Sequence, residues 1–168
     1  MVKGLAIIID TGIFYGFFNK RDVHHMDSIC ILVHSLEGKW GKVYTSDLII
    51  SEAYTLLRYR MGSRVAQAFL DMLRESGIKT LFLDEEHYEY VVNTLRRYSN
   101  VNLSFTDAFT IVAVNKMNIK YLASYDESFN IITKNVNVIG RGYAESLSKT
   151  EIRDVKRKLG LLCFKRSS

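Results

Sequence analysis

The sequence predicts an α/β fold of three layers, α/β/α, in which a five-stranded parallel sheet lies between helices and a short helical extension follows. Three observations predict it. Leu5-Ala6-Ile7-Ile8-Ile9 is a continuous apolar run rather than an alternating one, the pattern of a central strand covered on both faces. Strand-like and helix-like segments alternate along the rest of the chain, as in successive βαβ units. The first run also stops abruptly at Asp10-Thr11-Gly12, a carboxylate and turn at the strand's carboxyl end, where open α/β sheets bind ligands.

Taken in order, Ile13 to Phe18 reads as a short aromatic helix, and Asn19-Lys20-Arg21-Asp22 as a polar break. His24 to Leu36 places Ile29, Leu32, Val33 and Leu36 on one helical face. Lys42 to Thr45 is the second strand. Ser46 caps a helix running to Arg60, and Gly62-Ser63 opens another that reaches Glu75 and ends at Gly77. Ile78 to Leu83 is the third strand. Asp84 caps a helix to Tyr98, and Ser104 caps one to Met117. Tyr121 to Ser124 and Val136 to Ile139 are the last two strands. Ser148 and Glu151 form a capping box for a final helix ending at Gly160. Proline is absent, so the turns rest on Gly, Asn, Asp and Ser.

At 168 residues the chain is expected to be one domain, residues 1–143, with 144–168 a basic docked helix and tail rather than a second domain. No apolar run approaches the ~18 residues of a membrane span. Met1-Val2-Lys3-Gly4 leads straight into a strand and does not read as a signal peptide, so a cytoplasmic location is expected. Cys30 and Cys163 match no metal spacing and read as free thiols. The net charge is +5, and the segment from Ala144 carries +4 of it, with seven bases against three acids. A basic extension on a near-neutral body suits a polyanionic partner.

Four carboxylates stand out. Asp10 follows the first strand and Asp126 the fourth, Asp107 opens a helix, and Glu52 lies in the second turn of its helix. Each has a plain structural explanation: Asp10 as an N-cap, Asp107 in a capping box with Ser104, Asp126 closing an Asx turn, and Glu52 at a rim position whose head reaches solvent. Glu52 is the most informative. At about 100° per residue, Leu48, Ile49, Ala53, Leu56, Leu57 and Tyr59 cover one broad face, and Glu52 falls inside it. A carboxylate aimed at a core is expected to have a partner. Three of the four are expected at the same edge of one sheet, and the Glu52 helix starts there too. Converging carboxylates repel, and a hard divalent cation resolves the repulsion. Mg²⁺ and Mn²⁺ favour such oxygen ligands and suit phosphodiester hydrolysis.

At these residues the chain resembles the PIN domain, and especially the VapC-type toxin ribonucleases. The matching segments are Ile9-Asp10-Thr11, Arg21-Asp22-Val23-His24-His25, Thr45-Ser46-Asp47-Leu48 with Ser51-Glu52, Leu103-Ser104-Phe105-Thr106-Asp107-Ala108, and Ser124-Tyr125-Asp126 with Phe129. The resemblance covers roughly residues 5–140. It implies an endoribonuclease that cuts single-stranded or looped RNA with one or two Mg²⁺ or Mn²⁺ ions, as the toxin of a toxin–antitoxin pair. By position, Asp10, Glu52, Asp107 and Asp126 are the catalytic, metal-holding quartet, and Thr11 and Ser104 are polar supports. An antitoxin partner and a homodimer are implied as well; the surplus of aromatics at Phe14, Tyr15, Phe17 and Phe18 also suits a subunit interface.

The alternatives within the fold are a stand-alone RNA-processing nuclease and a non-cleaving RNA- or protein-binding module. A haloacid-dehalogenase-like phosphatase wants Asp-x-Asp after the first strand, and residue 12 is Gly. A response-regulator receiver wants an acidic pair there, and residue 11 is Thr. In the extension, which the resemblance does not reach, Ile152, Val155 and Leu159 form a stripe for docking. Lys156, Arg157 and Lys158 are then expected to face the RNA backbone, and Leu161-Leu162-Cys163-Phe164 to pack. His24 and His25 read as surface residues or as substrate or metal contacts.

Overall fold

The computed structural model describes residues 5–164, without the side chains of residues 131, 132 and 161–164. The sheet contains β1 (Ala6–Ile9), β2 (Lys42–Ser46), β3 (Lys79–Leu81), β4 (Tyr121–Ala123) and β5 (Asn137–Ile139). Its order is β3-β2-β1-β4-β5, parallel throughout. The first apolar run is the centre of the sheet: Ile8 registers with Tyr44 on one side and Leu122 on the other. Ile7, Ile8 and Ile9 are fully buried, as a strand covered on both faces requires.

Strand order reverses at β1. The chain steps outward from β1 to β2 to β3, then crosses to β4 and β5. Right-handed crossovers therefore put the helices of the two halves on opposite faces. On one face lie α1 (Thr11–Phe18), α2 (His25–Leu36), α3 (Asp47–Met61) and α4 (Ser63–Ser76), packed together in the sequence α2-α1-α3-α4. On the other, α5 (Glu85–Arg97) packs on α6 (Phe105–Met117) through Val91, Ala108, Phe109 and Val112. The short α7 (Ser128–Ile132) joins β4 to β5, and α8 (Lys149–Phe164) closes the described chain.

Local chemistry sets the helix ends. Ser46 accepts from Ile49 N and Asp84 from His87 N as N-caps. Gly77 ends α4 at φ 75°, left-handed backbone that glycine adopts without a Cβ clash. The α8 capping box is present, with Ser148 N donating to Glu151 Oε2 and Glu151 N donating to Ser148 Oγ. The helix does not stop at Gly160 but continues to Phe164.

Four of the expected strands shorten at their ends while β2 gains Ser46, and α1 starts two residues early because Asp10 is its cap. At five residues, α7 is too short to show a period in the sequence.

The aromatic surplus near the chain start is used inside the chain. Phe14 is fully buried, and Tyr15, Phe17 and Phe18 pack against the core. Cys30 is a free, buried thiol. Val155 of α8 is buried among Ile29, Cys30 and Val33 of α2, so the basic helix docks on the body. The expected packing of Leu161-Leu162-Cys163-Phe164 concerns side chains outside those described. No described helix is long and apolar enough to cross a membrane.

Candidate active site

The point where strand order reverses lies between the carboxyl ends of β1 and β4, the place where open α/β sheets form a ligand crevice. Asp10 sits there as the N-cap of α1, with its own N–H donating to Ala123 O on β4. Its carboxylate is buried. Oδ1 accepts from Thr11 N at 2.7 Å, and Oδ2 accepts from Ser124 Oγ at 2.7 Å. Burial pushes the Asp10 carboxyl up from 3.8 to about 6, against the pull of those two hydrogen bonds; the like charges of Asp107 and Glu52 push the same way.

Asp107 is half-buried in the first turn of α6. It forms the expected capping box, its Oδ2 accepting from Ser104 N while its own N donates to Ser104 Oγ. Burial raises its pKa, the Ser104 hydrogen bonds oppose this, and the charges of Asp126 and Glu52 add to it. Asp126 is exposed and closes the Asx turn into α7, accepting from Ser128 N on Oδ1. Its N–H donates to Ser124 Oγ, so one hydroxyl links Asp10 to the Asp126 backbone.

Of its two expected settings, Glu52 takes the rim. It is exposed on the rim, not directed into the core, and its Oε2 accepts from Thr11 Oγ1 at 3.0 Å. Only the narrower stripe Ile49, Ala53 and Leu57 of α3 is buried. Leu48 and Leu56 are half-buried and Tyr59 is 85% exposed, so the broad apolar face is not a core face along its whole width.

Four carboxylates from four segments thus share one sheet edge, graded from buried Asp10 to exposed Glu52 and Asp126. The donor set is all oxygen, which suits a hard cation. Among the described residues, no three His, Cys, Asp or Glu side chains are gathered closely enough to hold a metal ion as they stand. Each of the four carboxylates is nonetheless fixed at one oxygen or both by a hydroxyl or a backbone amide.

Sequence reasoning did not single out Ser124, although it is fully buried and holds the deepest carboxylate; a serine after a strand has too many ordinary uses to be distinctive. Gly140 matters beside it. A Cβ there would lie 2.2 Å from Ser124 O, so only glycine lets the chain after β5 pass this close to the end of β4. His24 and His25 both make contacts within the chain: His24 stacks on the Tyr125 ring at 4.3 Å, and His25 Nδ1 bonds Gly16 O at 2.7 Å. In α8, Arg157 pairs with Asp154, and Lys158 pairs with Asp154 and Glu37, which occupies two of the three cations expected to face RNA.

A model of the PIN domain matches residues 7–135. A VapC ribonuclease of Archaeoglobus fulgidus is 39% identical over 149 residues, 88% of this chain and 90% of that protein. The crystal structure of Mycobacterium tuberculosis VapC20, a sarcin-ricin loop cleaving toxin, matches with a TM-score of 0.66 at 23% identity, over 76% of this chain and 95% of its own. VapBC2 from Rickettsia felis, bound to a DNA fragment from their promoter, matches with a TM-score of 0.59 at 13% identity, over 81% and 98%. These two structures share the fold.

Proposed function

The chain belongs to the PIN domain family, in its VapC group, and from that premise we propose that it is a metal-dependent endoribonuclease that cuts single-stranded or looped RNA. One observation carries the reading. Asp10, a buried carboxylate whose pKa is raised by burial, lies within electrostatic reach of Asp107 and Glu52 at the switch point of the sheet. A protein has little structural reason to collect like charges there, because each lowers the stability of the others.

Asp10, Glu52, Asp107 and Asp126 would hold one or two Mg²⁺ or Mn²⁺ ions. When bound, such an ion lowers the pKa of a water and stabilises the leaving oxygen of a phosphodiester. The chain's own groups do the positioning. Ser124 and Thr11 N fix Asp10, Thr11 Oγ1 fixes Glu52, and Ser104 N fixes Asp107. Fixed ligands are what such chemistry requires, since loose ones forfeit preorganisation. Cleavage of a single-stranded and a stem-loop RNA, assayed in EDTA and after addition of Mg²⁺ or Mn²⁺, tests the reading. Full activity in EDTA, or none with either ion, counts against it.

The Archaeoglobus relative is a VapC ribonuclease, and we assign this chain the matching place, the toxin of a toxin–antitoxin pair. We also propose a homodimer. The aromatics at the chain start do not supply its interface, but Phe82, Tyr88 and Phe105 are exposed, and the last two rings are 6.0 Å apart. Light scattering at micromolar concentration checks the mass, and a monomer removes the claim.

A further inference from the structure

Helix α3 carries Glu52 in its second turn and ends in Arg58-Tyr59-Arg60-Met61. Glu52 and Tyr59 are seven residues apart, so they lie on one line of the helix surface about 10 Å apart along the axis. Between them runs an open groove of about 470 Å³, lined by Thr11, Ser51, Glu52, Thr55, Leu56 and Tyr59. It therefore begins inside the acidic site and ends on an aromatic ring. That ring is 85% exposed and adds nothing to the core, which α3 meets through Ile49, Ala53 and Leu57.

Arg58 and Arg60 flank Tyr59 and are exposed. Neither has an ion pair among the described residues. Arg64 is exposed on the first turn of α4, just beyond. The C-terminal dipole of α3 explains why cations are tolerated at that end. It does not explain an exposed aromatic between them, at the far end of a groove that starts at the reaction site.

Cations interleaved with an exposed aromatic are the makings of a single-strand binding surface: phosphates take the arginines and a base takes the ring. The charge also chooses between occupants. A segment of RNA presents anions to this end of the groove, whereas the cationic peptide that would suit Glu52 would meet like charge at Arg58 and Arg60.

We propose that Tyr59 is a stacking platform, with Arg58 and Arg60 as phosphate contacts, for the single-stranded RNA that flanks the nucleotide held at the acidic edge. The proposal rests on the ribonuclease reading for its substrate, and it assigns that substrate a direction, along α3 away from Glu52.

The test uses the full chain and a fluorescein-labelled 12-nucleotide single-stranded RNA of mixed sequence. Binding is measured by anisotropy in EDTA, so that it does not depend on cleavage. Tyr59→Ala should weaken binding at least five-fold, within the roughly five- to hundred-fold span of one stacked base. Tyr59→Phe should stay within about two-fold of wild type, because it keeps the ring. Arg58→Gln with Arg60→Gln should flatten the dependence of log Kd on log salt by roughly 1.4, at about 0.7 per phosphate contact. In Mn²⁺, Tyr59→Ala should raise KM and leave kcat within two-fold, as loss of uniform binding does.

Unchanged RNA binding by Tyr59→Ala overturns the proposal, and so does a Tyr59→Phe protein as weak as Tyr59→Ala. If Tyr59→Ala binds RNA normally but loses a protein partner, the groove is a protein-docking surface and the proposal fails. A wild-type chain that binds RNA through Tyr59 yet never cleaves it upholds the groove and removes the ribonuclease reading, so the two claims fail separately.

Discussion

Ser124 Oγ donates to Asp10 Oδ2 over 2.7 Å, tying the residue after β4 to the residue after β1 where the strand order reverses. This bond lowers the Asp10 pKa, while burial raises it more. Ser124→Ala should therefore move the Asp10 pKa further above about 6 in the metal-free chain, and with it the titration profile of that carboxyl followed by carbon NMR. It also leaves a buried carboxylate oxygen without that donor, which should cost about 1–3 kcal/mol of stability. Ser124→Thr, which keeps the hydroxyl, should recover most of the profile. An Ala variant with an unmoved profile would show that this bond does not tune Asp10.

The pH dependence of stability has a definite sign. The folded Asp10 value of about 6 lies above the ordinary 3.8, so the native chain binds more protons than the unfolded one between those values. Asp10 thus contributes stability that is fully present below about pH 4 and lost as pH rises through about 6. The loss is on the order of 3 kcal/mol at most, from about 1.4 kcal/mol per pKa unit. In Asp10→Asn this component should vanish from urea unfolding curves recorded across that window. Added Mg²⁺ should reduce it in the wild type, because an ion that binds the carboxylate favours its charged form. If Asp10→Asn and wild type show parallel curves, Asp10 is not the buried, charge-crowded group described.

Asp107 has two jobs that one pair of substitutions separates. Asp107→Asn keeps an oxygen for Ser104 N and should retain the α6 cap while losing most turnover. Asp107→Ala also removes the acceptor for Ser104 N, leaving only the Ser104 Oγ half of the capping box, and should cost up to about 1 kcal/mol more stability. If Asp107→Asn keeps full activity, the carboxylate is a cap alone.

The basic helix should matter little to RNA. With Arg157 paired to Asp154, and Lys158 to Asp154 and Glu37, changing Arg157 and Lys158 together to Gln removes contacts within the chain. RNA affinity should fall less than two-fold, and stability by at most about 1 kcal/mol, since exposed pairs are weak. A ten-fold loss of RNA affinity would return the phosphate contacts to α8.

The sheet, and the position of the four carboxylates at its edge, were legible because β1 is apolar on both faces and ends at Asp10, and because helices alternate with strands. The Ser104–Asp107 box was legible because it is local, its two residues only three positions apart. What was not legible depends on which part of a periodic face meets the core. Leu48, Leu56 and Tyr59 share a helical face with Ile49, Ala53 and Leu57, yet only the latter three are buried, so Glu52 reads as core-directed when it is on the rim. The pairing of Lys158 with Glu37 joins α8 to α2 and has no local signature. Asp154, three and four residues before Arg157 and Lys158, was the signal that these cations have partners of their own. Ser124 acts through a bond to a residue 114 positions away, and no spacing rule reaches that far.

Carboxylates at the switch point that hold a metal needed for RNA cleavage should make that cleavage depend on both the metal and Asp10. The most direct measurement is the cleavage rate of one labelled stem-loop RNA as a function of Mn²⁺, for metal-stripped wild type and Asp10→Asn, each first shown to be folded by circular dichroism. The wild-type rate should rise from zero and saturate with Mn²⁺, and the Asp10→Asn rate should be at least a hundred-fold lower at every concentration. Equal rates for the two proteins, or a wild-type rate indifferent to Mn²⁺ and undiminished by EDTA, would contradict that dependence.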